Sequence, residues 1–289
     1  MACVHTGARV RVTSPAAFRL SSGTRLVWVC LCVSFLAAAA ACASAPKKPP
    51  VGSLEPDKFL HENGTKALND RRWFAAREYF RQLVDSYPQS PYRADAKLGI
   101  ADTYLGEHTL EAQLLAINEY REFLSFYPTH ERADYAQYKM GMAHFQQMKG
   151  PERDQTETRE AINELTTFMQ RYPKSSLMPE GAKHLREAKD RLSMSEYRVG
   201  VFYFRQRWYP GALDRLTSIL KSDPEFTYRD GVYYHLAQIY MKVGRPAEAL
   251  PYLDKLVAEF DKSEYLADAQ KQMADIKSGA VKAAKEPSK

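Results

Sequence analysis

Beyond residue 42 the chain has no cysteine: Cys3, Cys30, Cys32 and Cys42 all fall at the start of its 289 residues. A disulfide framework for the body is therefore excluded, as are thiolate metal sites and cysteine nucleophiles. Acidic residues are missing from the first 41 positions, where Arg9, Arg11, Arg19 and Arg25 stand. Setting those four arginines aside reduces a formal charge of +6 to 37 basic against 35 acidic residues. A nearly neutral body lacks the clustered basic surface that phosphate binding needs, so nucleic acid is not an expected partner. HExxH, CxxC, P-loop and GxSxG motifs are all absent, and the seven histidines are scattered. Metal-hydrolase, NTPase and acyl-transfer chemistry thus lack their minimum parts. His184 and Glu187, at i and i+3, could share a cation, but two ligands make no site, and a solvated helix face is the favoured reading. Glu119 and Glu122 read as surface partners of Arg121 rather than as a glycosidase pair.

The apolar run Leu26–Ala41 has 16 residues, short of the ~20 that a spanning helix needs. With arginines before it and small residues after it, residues 1–41 read as an export signal. Cys42 follows the alanine run directly and precedes Ala43-Ser44-Ala45-Pro46, the placement of a bacterial lipoprotein's lipid-attachment cysteine. Ala39 stands where the usual motif has leucine, so cleavage by an ordinary signal peptidase is the alternative. A lone cysteine at a new N-terminus has no internal partner, whereas acyl chains at ~0.8 kcal/mol per buried methylene would anchor it to a membrane leaflet. No aspartate follows Cys42, an absence that in Gram-negative lipoproteins resembles the signal for delivery to the outer membrane. No cofactor is expected beyond that covalent lipid. Residues 42–54 are proline- and lysine-rich and read as a tether; 277–289 lose periodicity and read as a disordered tail.

The body between them is periodic. Five times an alanine stands twelve residues before a loop residue that is usually proline: Ala76/Pro88, Ala116/Pro128, Ala161/Pro173, Ala212/Pro224 and Ala249/Asp261. Large apolar residues follow each alanine at i+4 (Phe80, Tyr120, Leu165, Leu216, Leu253) and at i+7 (Leu83, Phe123, Phe168, Ile219, Leu256). Small, large, large at that spacing makes one helix face, the alanine letting two axes approach and the proline ending the helix. This predicts an all-α superhelical solenoid of about five helix pairs over residues 55–276. The pattern resembles the tetratricopeptide repeat, in which a small residue lies twelve positions before the alanine, as Gly64, Gly200 and Ala237 do here. Gly99 and Gly141 lie further from their alanines, so units two and three need longer loops or helices. Lys149-Gly150-Pro151 is the expected place for one insertion.

Several stretches sharpen the likeness. Asn69-Asp70-Arg71-Arg72-Trp73, Tyr87-Pro88-Gln89-Ser90-Pro91-Tyr92, Pro128-Thr129-His130, Tyr172-Pro173-Lys174-Ser175-Ser176 and Lys189-Asp190-Arg191-Leu192 stand in the order of one family. Together with the signal and Cys42, the chain resembles, over roughly residues 55 to 270, the BamD family of lipoproteins that serve the outer-membrane β-barrel assembly machine. The resemblance implies a non-enzymatic scaffold at the periplasmic face of the outer membrane. Its partners would be the barrel insertase BamA, the other assembly lipoproteins and unfolded barrel precursors. The family's groove-facing offsets place Arg93, Tyr104, Tyr135, Tyr138 and Phe145 toward a bound precursor. Arg153, Asp154, Arg205 and Arg207, with a long helical stretch from Pro179 through Arg205, are assigned to the insertase contact. The rival is a periplasmic repeat adaptor of the Tol-Pal, wall-coordinating type. A heptad coiled coil ahead of the repeats would mark it, and residues 43–54 are too short and proline-rich to form one. A wall-active enzyme would need a further domain for which the repeats leave no room.

Overall fold

Residues 47–280 are described by the computed structural model. The signal segment, Cys42 and residues 281–289 of the expected tail lie outside the described residues. Among the described residues eleven helices and no strand occur. They pack as consecutive pairs: α1 (Pro56–Asn69) with α2 (Trp73–Ser86), α3 (Arg93–Glu107) with α4 (Leu110–Phe126), and α5 (Ala133–Phe145) with α6 (Thr156–Arg171). Two more pairs follow, α7 (Met178–Arg205) with α8 (Tyr209–Ser222) and α9 (Arg229–Lys242) with α10 (Pro246–Glu259), and α11 (Leu266–Lys277) covers the last.

The periodic positions form the core. All five alanines are fully buried, and none of the ten large residues that follow them is more than 2% exposed. Each such side chain contributes ~1.5–3 kcal/mol by leaving water, which explains why the pattern survives while the rest of each helix varies. Phe80 shows how tight the stacking is. A Cβ at Gly64 would lie 2.6 Å from its ring, and a Cβ at Gly99 of the next pair would collide with the opposite edge. Both glycines are close-approach residues that hold one ring between two first helices.

Serine closes three of the five pairs. Ser90 donates to Asp57 at 2.7 Å, Ser175 to Asp134 at 2.6 Å and Ser263 to Asp230 at 2.6 Å, joining the loop after the second helix to the start of the first. The same oxygens accept the backbone N–H two residues on, at Tyr92, Leu177 and Tyr265. In unit two His130 replaces the serine, and the Arg132 guanidinium reaches Asp95 at 2.9 Å instead. Asp261 breaks the proline pattern in unit five, yet α10 ends as the others do, with the next residue's N–H bonded four residues back. The serine and that backbone bond set the turn, and proline reinforces it.

Units two and three depart from the standard length in different ways. In unit two the extra residues are helical, since only His108 and Thr109 separate α3 from α4. In unit three they form the loop between α5 and α6, where Gln155 donates to the Gly150 and Arg153 carbonyls at 2.8 and 2.9 Å. Helix α7 runs for 28 residues, twice the length of α1 or α9. Its first half meets Phe168 of unit three at Gly181, and its second half meets Leu216 of α8 at Gly200. One stiff rod therefore serves two stacking positions. Arg186 of α7 holds Asp223 through both oxygens, at 2.8 and 2.5 Å, and Ser193 adds a third donor at 2.7 Å.

Candidate functional site: two clefts on the first-helix face

Two clefts lie along the first helices of the pairs. One, of about 300 Å³, is built by α1, α3 and α5 and opens between Trp73, Asp102, Tyr135 and Lys139. Asp102 forms its polar floor. The hydroxyls of Tyr120 and Tyr135 both donate to Asp102 Oδ1, at 2.5 and 3.0 Å. Burial raises the carboxyl above the usual range, although the two phenols, Lys139 and Arg132 pull the other way. The Tyr135 ring carries two cations, the Arg132 guanidinium at 4.8 Å and the Lys139 ammonium at 5.3 Å from its centre.

Of the five residues expected to face a precursor, Tyr135 lines this cleft. Tyr104 and Tyr138 are only 8% exposed. Tyr104 lies 4.1 Å beneath the Arg77 guanidinium and accepts from Arg81 at 2.6 Å, so its ring is taken up by packing between helices. Tyr138 meets Phe168 and approaches His184 Nδ1 at 3.2 Å, while half-buried Phe145 sets its edge against the same imidazole at 5.0 Å. Arg93 donates to the Tyr127 hydroxyl at 2.9 Å and so ties a turn rather than facing the cleft. His184 is thus an aromatic packing partner of Tyr138 and Phe145, and among the described residues no cluster could hold a metal ion.

A second cleft, of about 640 Å³, lies along α7, α9 and α11. Tyr234 and Tyr265 stack at 4.4 Å, Tyr228 and Tyr265 share a 2.9 Å hydroxyl contact, and Tyr197 approaches His235 Nδ1 at 3.2 Å. Burial lowers the His235 pKa, and burial likewise raises those of Tyr197 and Tyr228. Arg205 stands exposed at the cleft's rim. Arg207 begins the next turn in left-handed backbone, φ 60°, beside Trp208, which is 55% exposed, as is Phe202. Arg153 and Asp154 project from the α5–α6 loop, which is pinned to α7 by Arg191 donating to the Lys149 carbonyl and by the Glu152–Arg198 ion pair. The four residues assigned to a partner are therefore all exposed where a first helix gives way to a second, Arg205 as the last residue of α7 and the other three in the connecting loops.

A family described as "YfiO: Outer membrane lipoprotein" matches residues 54–250, most of the repeat array. The chain belongs to this family. It is 27% identical over 242 residues to the outer membrane protein assembly factor BamD of Caulobacter vibrioides, covering 83% of this chain and 78% of that one. It is 24% identical over 254 residues to the BamD of Neisseria meningitidis serogroup A, covering 83% and 94%. Among solved structures it is similar to the crystal structure of MamA protein, with 18% identity, TM-score 0.31, and coverage of 74% and 95%.

Within that family frame, the family's offsets pointed to Tyr197 and Tyr234 of the second cleft, but sequence reasoning missed Asp102, Lys139, Tyr228 and Tyr265. Asp102 sits two residues before Tyr104, on the side of α3 that the repeat offsets left unassigned, and its partners Tyr120 and Tyr135 come from other helices. Tyr228 and Tyr265 each follow a loop at the start of the next first helix. That recurring place is a signal the aligned loops could have given. No described helix is long and apolar enough to cross a membrane.

Proposed function

We propose that the protein is a lipid-anchored scaffold of the outer-membrane β-barrel assembly machinery, held at the periplasmic face through an acylated Cys42. It works by binding alone, without catalytic chemistry or a cofactor other than the covalent lipid. The observation that carries this reading is the family match across residues 54–250, with relatives named as outer membrane protein assembly factors.

In this reading the turns bearing Arg153, Asp154, Arg205 and Arg207 meet the barrel insertase. Guanidinium groups suit that role because they bind carboxylates in a two-pronged geometry, and Phe202 and Trp208 supply apolar anchors beside them. The N-terminal first helices receive an extended precursor segment, with Tyr135 at the cleft and Arg93, Tyr104, Tyr138 and Phe145 shaping the wall behind it. Helix α7 packs on Phe168 of unit three and on Leu216 of α8, and so holds the insertase-facing turns in register with unit three. Affinity purification from detergent-solubilised envelopes tests the whole. An integral outer-membrane barrel protein and its companion lipoproteins are expected to co-isolate; recovery of Tol-Pal components or wall synthases in their place would overturn the assignment.

A further inference from the structure

We propose that the cleft at Asp102 is a tyrosine-selective subsite, taking the phenol of an extended segment laid along α1, α3 and α5 with the Asp102 carboxylate as its acceptor. The inference deepens the precursor-binding role and rests on it.

Three observations select that occupant. First, Asp102 already serves as an acceptor for phenols, and both of them end on Oδ1. Neither reaches Oδ2. Second, burial outweighs the existing donors at this carboxyl, so one more donor arriving in the cleft stabilises its charged form. Third, the walls fit an apolar body with a polar tip: Leu68, Trp73 and Leu105 line one side, and Gly106 has no side chain because the Trp73 ring lies against it.

The charges exclude the other candidates. A carboxylate would face Asp102. A lysine or arginine would meet Lys139 and Arg132, both already placed over the Tyr135 ring. Phenylalanine fills the same space but covers Asp102 without a hydrogen bond, and a site built around a substrate hydroxyl discriminates against the analogue that lacks it. A phenol is neutral, flat and a donor at its far end.

The test uses the full mature chain, made unacylated by Cys42→Ala, and three capped strand peptides identical except for Tyr, Phe or Lys at one inward-facing position. Binding is followed by fluorescence anisotropy. The wild-type groove should prefer Tyr over Phe by about tenfold, the low end for one net hydrogen bond to a charged group. Asp102→Asn should shrink that ratio several-fold. The combination Asp102→Ala, Tyr120→Phe and Tyr135→Phe, which leaves no orphaned hydroxyl, should bring it near one. The ratio is the readout because a general loss of folding lowers both affinities together. Equal binding of the Tyr and Phe peptides to the wild type overturns the subsite and leaves the groove standing. Preference for the Lys peptide, or a ratio unchanged in both variants, also overturns it. Failure of all three peptides to bind overturns the groove and the subsite with it.

Discussion

The Ser90 hydroxyl donates to the Asp57 carboxylate at 2.7 Å, fastening the end of the first helix pair to its beginning. That bond holds the Asp57 pKa below its ordinary value, with Ser90 the leading cause. The same bond recurs from Ser175 to Asp134 and from Ser263 to Asp230. The serine of the Tyr-Pro-x-Ser loop is therefore a structural fastener. Ser175→Ala and Ser263→Ala should each lower stability by about 1 kcal/mol, in the range for a hydrogen bond to a charged group at a partly wet site. Urea unfolding followed by circular dichroism measures it. Ser263→Ala should cost at least as much as Ser175→Ala, because unit five has Asp261 where the others have proline.

Phe80 admits no added methyl on either side. Gly99→Ala should destabilise by about 1–3 kcal/mol through overpacking, and Phe80→Leu in the same chain should recover part of the loss. Additive effects in the double variant, measured by thermal unfolding, would show that the two residues do not share the strain assigned to them.

Asp223 gives the acid dependence. Burial alone would raise its pKa, but the bonds from Arg186 and Ser193 outweigh it and the net shift is downward. A carboxyl depressed in the folded state contributes stability that is present above its unfolded value of 3.8 and is lost as pH falls through the lower folded value. Arg186→Met removes the cause. At neutral pH it should cost about 2 kcal/mol, less than the full penalty for a broken buried pair because Arg186 is partly exposed. The variant's unfolding free energy should also fall less steeply below pH 4 than that of the wild type. Parallel acid limbs for the two proteins would count against the Arg186–Asp223 account.

At the exposed turns, Arg205→Glu with Arg207→Glu should reduce co-purification of the barrel protein while the helical circular dichroism stays unchanged. Both side chains are exposed, and Arg207 adopts left-handed backbone that glutamate tolerates about as poorly as arginine. Unaltered recovery of the partner would move the contact elsewhere. Cys42→Ala, separately, should yield a form released from membranes by washing, with mass spectrometry of the wild-type N-terminus showing the acylated cysteine.

The repeat was legible in the sequence because it depends on local period: Ala76, Phe80 and Leu83 face one way by helix geometry alone, and all are buried. Helix α7 was legible for the same reason. The clefts were not. Whether Tyr104 lines a groove or packs under Arg77 depends on the rotation of neighbouring helices, to which spacing within one helix is blind. Asp102 was missed because its meaning comes from Tyr120 and Tyr135, 18 and 33 residues away. Arg93 was mapped to the groove by family offset, but the nearby Tyr127 hydroxyl takes its guanidinium.

The central claim is that one rigid array binds two different partners on two of its regions. Site-specific photo-crosslinking in intact cells, from a probe at Lys139 and another at Arg207, tests it most directly. The account predicts adducts with unfolded barrel precursors from position 139 and with a barrel insertase from position 207. Adducts from both positions to Tol-Pal or wall-synthesis proteins, or none to any outer-membrane barrel protein, would contradict it.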